Sequence, residues 1–131
     1  MHAQVDASFI DANGHMNFAW YMHLFDRASW AFFADIGLDA EHMRRSGTGP
    51  FAVEAKQRFF AELFLGDQVA IRTRVVAIGK KSVTLVHAMV DVARQRVAAT
   101  VEIVAVHVDK GTRRAVPFAP EHARRAERFL F

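Results

Sequence analysis

Between Phe18 and Ile36 the positions Phe18, Tyr21, Met22, Phe25, Ser29, Phe32 and Ile36 recur in three- and four-residue steps. This spacing predicts one long helix, with Asn17 placed as its N-cap and Gly37 standing where a helix end favours a left-handed residue. At 1.5 Å per residue the helix would be roughly 28 Å long, enough to cross a small domain. Its far side carries Trp20, His23, Arg27, Trp30 and Ala34, more aromatic than a surface helix requires, so burial on most sides is expected. A shorter helical turn is expected from Asp39 to Arg45, ahead of the breaker Gly47-Thr48-Gly49-Pro50.

From Phe51 onward the period changes to two, with β-branched and aromatic enrichment. Turn signals at Gly66-Asp67, Gly79-Lys80 and Arg94-Gln95 divide this region into four strands, Phe51 to Phe64, Gln68 to Ile78, Ser82 to Val92 and Arg96 to Asp109. The connections are a few residues long, which hairpins allow and parallel crossovers do not, so the strands are antiparallel. The fourth is nearly all apolar and is expected to be central, buried on both faces. A short strand from Val5 to Ile10 would make five, and Glu121 to Phe129 reads as a terminal surface helix. One long helix set apart in sequence from an antiparallel sheet is an α+β arrangement, satisfied by a five-stranded sheet curled around that helix.

Composition narrows the chemistry. The 131 residues are 52% hydrophobic and 24% charged with 12 Phe, a balance that favours one folded domain spanning 1–131 over a disordered chain. Cys is absent, which removes disulfides, thiolate zinc sites and cysteine nucleophiles. No apolar run reaches the roughly 18 residues needed to span a bilayer, and the N-terminus lacks a signal-peptide pattern, so a cytoplasmic location and no membrane partner are expected. The net charge is +3, with the basic residues spread as doublets such as Arg44-Arg45, Lys80-Lys81, Arg113-Arg114 and Arg124-Arg125. Nucleic-acid binding would call for a dense stripe or sheet-face aromatics, and neither pattern occurs. The histidines show no ligand spacing, so no metal is expected.

The polar turn Ile10-Asp11-Ala12-Asn13-Gly14-His15-Met16-Asn17 directly before an aromatic helix carries Tyr21 soon after it. With Val53-Glu54, Leu65-Gly66-Asp67-Gln68-Val69 and Ile78-Gly79-Lys80-Lys81-Ser82, it resembles hotdog-fold acyl-CoA thioesterases of the 4-hydroxybenzoyl-CoA thioesterase type. The Asn-Gly-His-Met-Asn wording is similar to the subgroup acting on betainyl-type thioesters of the carnitine pathway. The resemblance implies a hotdog fold, an acyl-CoA substrate that brings coenzyme A with no further cofactor, and a homodimer or homotetramer.

Thioester hydrolysis needs a nucleophile or general base at the carbonyl carbon and donors facing the oxygen that becomes negative. By resemblance Asp11 is the catalytic carboxylate, either attacking the carbonyl or activating water. Phe18, seven residues later, corresponds to the backbone donor at the helix start, where unpaired N–H groups and the helix dipole favour an oxyanion. Gly14 permits close approach of the thioester, His15 and Asn17 can bond the turn, the substrate or the carboxylate, and Asn17 can also cap the helix. Tyr21 is a candidate for substrate binding. Glu54 and Glu62 fall on one face of the first long strand, and Glu54 is a candidate second carboxylate reaching across a subunit boundary. Arg72, Lys80 and Lys81 are candidates for the phosphates of coenzyme A. Trp20, Trp30, Phe32, Phe33, Phe59 and Phe60 fill core and interface, or box a quaternary ammonium. The rival readings are a non-catalytic acyl-CoA binder and an enoyl-CoA hydratase.

Overall fold

The computed structural model describes residues 1–130. Chain order gives β1 (His2–Gln4), a 3₁₀ turn (Ala7–Phe9), α1 (Phe18–Asp35), α2 (Ala40–Ser46) and β2 (Thr48–Phe59). There follow β3 (Gln68–Ile78), β4 (Ser82–Asp91), β5 (Arg96–Asp109), β6 (Arg114–Ala115) and α3 (Pro120–Glu127). The sheet runs β1-β3-β4-β5-β2, antiparallel throughout, with the two-residue β6 added to β5. The long helix lies against the inner face of this sheet, the hotdog arrangement expected.

α1 forms where the periodicity places it. Asn17 caps it, its Oδ1 accepting the Ala19 N–H at 3.0 Å, and Gly37 follows the C-terminus with φ +93°. Leu24, Phe25, Ala28 and Phe32 are buried against alternate residues of the sheet, including Ile71, Val75, Leu85, Met89 and Val101. β5 is hydrogen-bonded on both edges, to β4 and β2, which accounts for its apolar run. Glu102 nonetheless stands exposed on its outer face.

Three expectations change. The first strand is His2–Gln4 rather than Val5 to Ile10, because Asp6 accepts the Ser8 N–H and turns the backbone into the 3₁₀ segment. The long strand begins at Thr48 and ends at Phe59 rather than running from Phe51 to Phe64. Gly49 and Pro50 fit within it because β2 is an edge strand, where a missing N–H costs nothing. It stops because the Phe60 and Ala61 N–H groups both turn onto the Ala98 carbonyl. Finally, α1 is buried on one face only, and Trp30 on the other is 45% exposed. That far side borders a groove of about 480 Å³ between α1 and β2, lined by Met22, Trp30, Phe33, Ala52, Ala55 and Ile103 among others. Among the described residues, no helix is long and apolar enough to cross a membrane.

Candidate active site

The turn before α1 is closed by its own backbone. Asp11 N–H donates to His15 O at 3.1 Å, Gly14 N–H donates to Asp11 O at 3.0 Å, and Ile10 and Met16 form an isolated antiparallel bridge. Gly14 takes φ +79°, a conformation other residues adopt only under strain, and an added Cβ there would meet nothing within 4 Å. The turn is anchored to the fold by Met16 N–H on Leu63 O at 2.8 Å and Asn17 N–H on Phe9 O at 2.8 Å.

This geometry fixes the Asp11 carboxylate. Asn17 Nδ2 donates to Oδ2 at 2.9 Å and the Asn13 N–H donates to Oδ1 at 2.8 Å. The Asn17 bond first, and the Asn13 bond second, stabilise the ionised form and lower the carboxyl below its ordinary range. Asn17 therefore serves both ends of one problem: its amide nitrogen holds the carboxylate while its oxygen caps the helix. The Ala19 N–H goes to that oxygen and the Trp20 N–H to the Asn17 carbonyl, which leaves the Phe18 N–H at the helix start without a partner among the described residues. The Phe18 ring is 68% exposed beside it.

His15, Phe18 and Tyr21 line a cavity of about 320 Å³ together with Phe59, Phe60 and Glu62. The Phe59 ring meets Tyr21 at 5.1 Å and Phe18 at 6.5 Å between centroids, edge to face in both cases. Tyr21 is buried, its hydroxyl donates to Ala61 O at 3.4 Å, and burial raises its phenol above the usual value. Glu62 is the residue the strand pattern misassigned. It lies past the end of β2, and its Oε1 sits 2.8 Å from His15 Nδ1, while His15 Nε2 is 3.9 Å from Asp11 Oδ1.

The other candidates lie elsewhere. Glu54 is opposite Val104 and, after the bulge between Ala52 and Glu54, shares the outward-facing side of β2 with Lys56 and Arg58. Arg72 is exposed on the outer face of β3, opposite Ala88. Lys80 and Lys81 occupy the β3–β4 hairpin, next to Phe118 and His107. Asp11 adjoins the other end of the sheet, where β1 pairs with the start of β3 and Met16 bonds Leu63. Within one chain the structure thus gathers Asp11, Gly14, His15, Asn17, Phe18 and Tyr21, while Arg72, Lys80 and Lys81, and Glu54, which is expected to act across a subunit boundary, lie elsewhere on the same chain.

Comparison with known proteins gives this arrangement its context. A family described as the thioesterase-like superfamily matches residues 5–126. The chain is 31% identical over 119 residues to a betainyl-CoA thioesterase of Pseudomonas aeruginosa, covering 91% of this chain and 75% of that one. It is 33% identical over 118 residues to an L-carnitine dehydrogenase/betainyl-CoA thioesterase of Agrobacterium fabrum, covering 90% of this chain but 24% of that longer protein. Among solved structures, a gentisyl-coenzyme A thioesterase superposes with TM-score 0.84 at 25% identity, covering 96% of this chain and 98% of that one. A Staphylococcus aureus protein solved with CoA superposes with TM-score 0.94 at 22% identity, covering 98% of this chain and 81% of that one, a likeness of fold. With nearly the whole length matched by the family, this chain belongs to the thioesterase-like superfamily and is a hotdog-fold thioesterase.

Proposed function

We propose that this thioesterase hydrolyses an acyl-CoA to a carboxylic acid and free coenzyme A, with Asp11 as the catalytic carboxylate and the Phe18 N–H as the oxyanion donor. The observation that carries the reading is the Asp11–Asn17–helix arrangement, which puts an ionised carboxylate and an unpartnered helix-start N–H at the two ends of one capping residue. Held in place by the Asn17 amide and the Asn13 N–H, which keep it ionised, Asp11 is assigned here as the nucleophile that attacks the carbonyl. The tetrahedral oxygen then meets a backbone donor and the positive end of an 18-residue helix.

The experiment is thiol release from a panel of acyl-CoA esters, with Asp11→Asn compared with the parent. Loss of at least ~100-fold in kcat is expected. Single turnover in ¹⁸O-labelled water is expected to leave label in Asp11, the mark of an acyl-aspartyl anhydride. Parent-level activity in the variant overturns the reading, and product labelled with no label in Asp11 replaces nucleophile by general base. Acyl-CoA binding without thiol release from any ester would identify a binder, and consumption of a conjugated enoyl-CoA without thiol release a hydratase.

The acyl group we infer to be short and cationic, of the betainyl type for which two of the related thioesterases are named. The cavity beside Asp11 supports this with the aromatic rings of Phe18, Tyr21 and Phe59 and the carboxylate of Glu62, a combination that favours a quaternary ammonium over a neutral group.

The working unit we infer to be a homodimer or a higher homo-oligomer. A 12-residue edge strand with Val53 62% exposed, beside an apolar groove of about 480 Å³, is a surface that natural proteins cover. A second copy pairing along β2 would close it.

A further inference from the structure

We propose that His15 and Glu62 form a proton-carrying pair for the hydrolysis, His15 as the catalytic base and acid and Glu62 as the residue that positions it. The proposal rests on the thioesterase reading above and adds to it a group that reading leaves unassigned: the acceptor of the proton from water.

The geometry sets out the roles. An ionised carboxylate can only accept hydrogen bonds, so the 2.8 Å contact of Glu62 Oε1 with Nδ1 places the ring proton on Nδ1 and leaves the lone pair of the neutral imidazole on Nε2. That lone pair faces Asp11 Oδ1 at 3.9 Å. Two acceptors at this separation do not bond each other, but one water molecule can touch both. Glu62 is held for this task by the loop after β2, where the Ala61 N–H bonds Ala98 O and the Leu63 carbonyl accepts from Met16 of the catalytic turn. The titratable groups facing His15 are Asp11 from its own turn, Glu62 from this loop and Tyr21 from α1, whose hydroxyl is turned to Ala61 O. His15 is partly exposed at the cavity wall, accessible to both water and the thioester.

The steps balance as follows. Asp11 attacks the carbonyl carbon, the C–S bond breaks, and the electron pair leaves on the coenzyme A sulfur. His15 Nε2 then takes a proton from a water molecule whose oxygen attacks Cγ of Asp11 in the anhydride. The bond from Cγ to the bridging oxygen breaks, so the acyl group leaves as a carboxylate carrying that oxygen, and Asp11, now holding the oxygen of the water, gives its remaining proton to the departing carboxylate and is ionised again. The proton on Nε2 passes to the thiolate, giving coenzyme A as thiol and neutral His15.

The test uses the full chain and the acyl-CoA ester that the parent enzyme turns over fastest, with thiol release followed across pH. His15→Gln is expected to lower kcat by ~100-fold and to remove one limb of the pH–rate profile. Glu62→Gln is expected to lower kcat by ~10-fold in the parent and to have no further effect in the His15→Gln background, because a carboxylate that acts by orienting the ring then has nothing left to orient. Exogenous imidazole is expected to restore activity to His15→Ala several-fold. Both side chains are partly exposed, and unchanged circular dichroism and melting confirm that the variants fold. The proposal is overturned if His15→Gln keeps the limb, if imidazole rescues nothing, or if Glu62→Gln lowers kcat as much in the His15→Gln background as it does alone. Any of these with Asp11→Asn still inactive removes the pair and leaves the Asp11 reading in place.

Discussion

Asn17 Nδ2 donates to the Asp11 carboxylate at 2.9 Å while Asn17 Oδ1 accepts the Ala19 N–H at 3.0 Å, so one amide ties the candidate catalytic group to the start of the long helix. The two bonds can be removed separately. Asn17→Ala loses both, and the missing cap is expected to cost about 1 kcal/mol in thermal or urea unfolding. Asn17→Asp keeps the cap acceptor and loses the donor, and it adds a negative charge beside Asp11.

Because Asn17 is the largest cause of the lowered Asp11 carboxyl, either variant raises that group toward its ordinary range or beyond. The form active as nucleophile is the ionised one, so activity is expected to fade at a higher pH than in the parent as the solution is acidified. The acid limb of kcat/KM measures this. Asn17→Asp with parent stability and an upward-shifted limb would separate the electrostatic role from capping, whereas an unmoved limb would sever the link between them.

For the acyl group, betainyl-CoA and 3,3-dimethylbutyryl-CoA form a matched pair, with trimethylammonium replaced by an uncharged tert-butyl of nearly the same shape. A cation–π contribution of about 0.5–2 kcal/mol corresponds to roughly 2- to 30-fold in kcat/KM in favour of betainyl-CoA. Phe59→Leu is expected to reduce that ratio through the change in its cationic member. Equal rates for the two esters in the parent would show that the aromatic cavity does not read charge.

A groove meant for a second copy should not tolerate a charge. Ala55→Arg places a long cation against Trp30 and Ile103 at the groove between α1 and β2. Sedimentation is expected to show the mass falling from that of the oligomer to that of one chain. A parent protein that sediments as a single chain would itself contradict the dimer.

In the core, His87 is fully buried, with Nε2 2.8 Å from Ser29 Oγ and Nδ1 2.8 Å from Thr73 Oγ1. Ser29 Oγ also donates to Phe25 O at 3.1 Å, so it accepts from Nε2, and Thr73 donates to Nδ1. Burial pushes the imidazole down to about 4 from 6.5. The unfolded chain therefore binds a proton below pH 6.5 that the fold refuses, and stability falls as pH drops from 6.5 to about 4, by up to about 3 kcal/mol. Urea unfolding across this window is expected to show a steeper loss in the parent than in His87→Gln, and parallel curves would place His87 outside the acid response.

The extent to which the sequence disclosed this site follows from what local patterns can carry. α1, its cap and the hairpins follow from spacing, because a helix or a ladder imposes its period on the residues that bury it. The Asp11 turn was legible because its parts are neighbours in the chain. Glu62 was not: counting in twos put it on a strand with Glu54, but the backbone leaves the ladder at Phe59 and turns the side chain toward His15, 47 positions earlier. The charge of Lys80 and Lys81 marks a basic hairpin, but charge holds no information about which end of the sheet that hairpin occupies. The buried Ser29–His87–Thr73 chain was likewise hidden, since Ser29 reads as one more position on the apolar face of α1.

The Asp11 turn is closed upon itself, through Asp11 to His15, Gly14 to Asp11 and the Ile10–Met16 bridge, while much of the aromatic wall of the cavity comes from the end of β2. On the proposed function, the attacking carboxylate and part of the wall that would receive the acyl group thus come from stretches of chain about fifty positions apart. Replacements at Phe59 and Phe60 would then alter which thioester is admitted while the carboxylate and the helix start keep their geometry, which would open new substrates to this scaffold by substitution in one short segment.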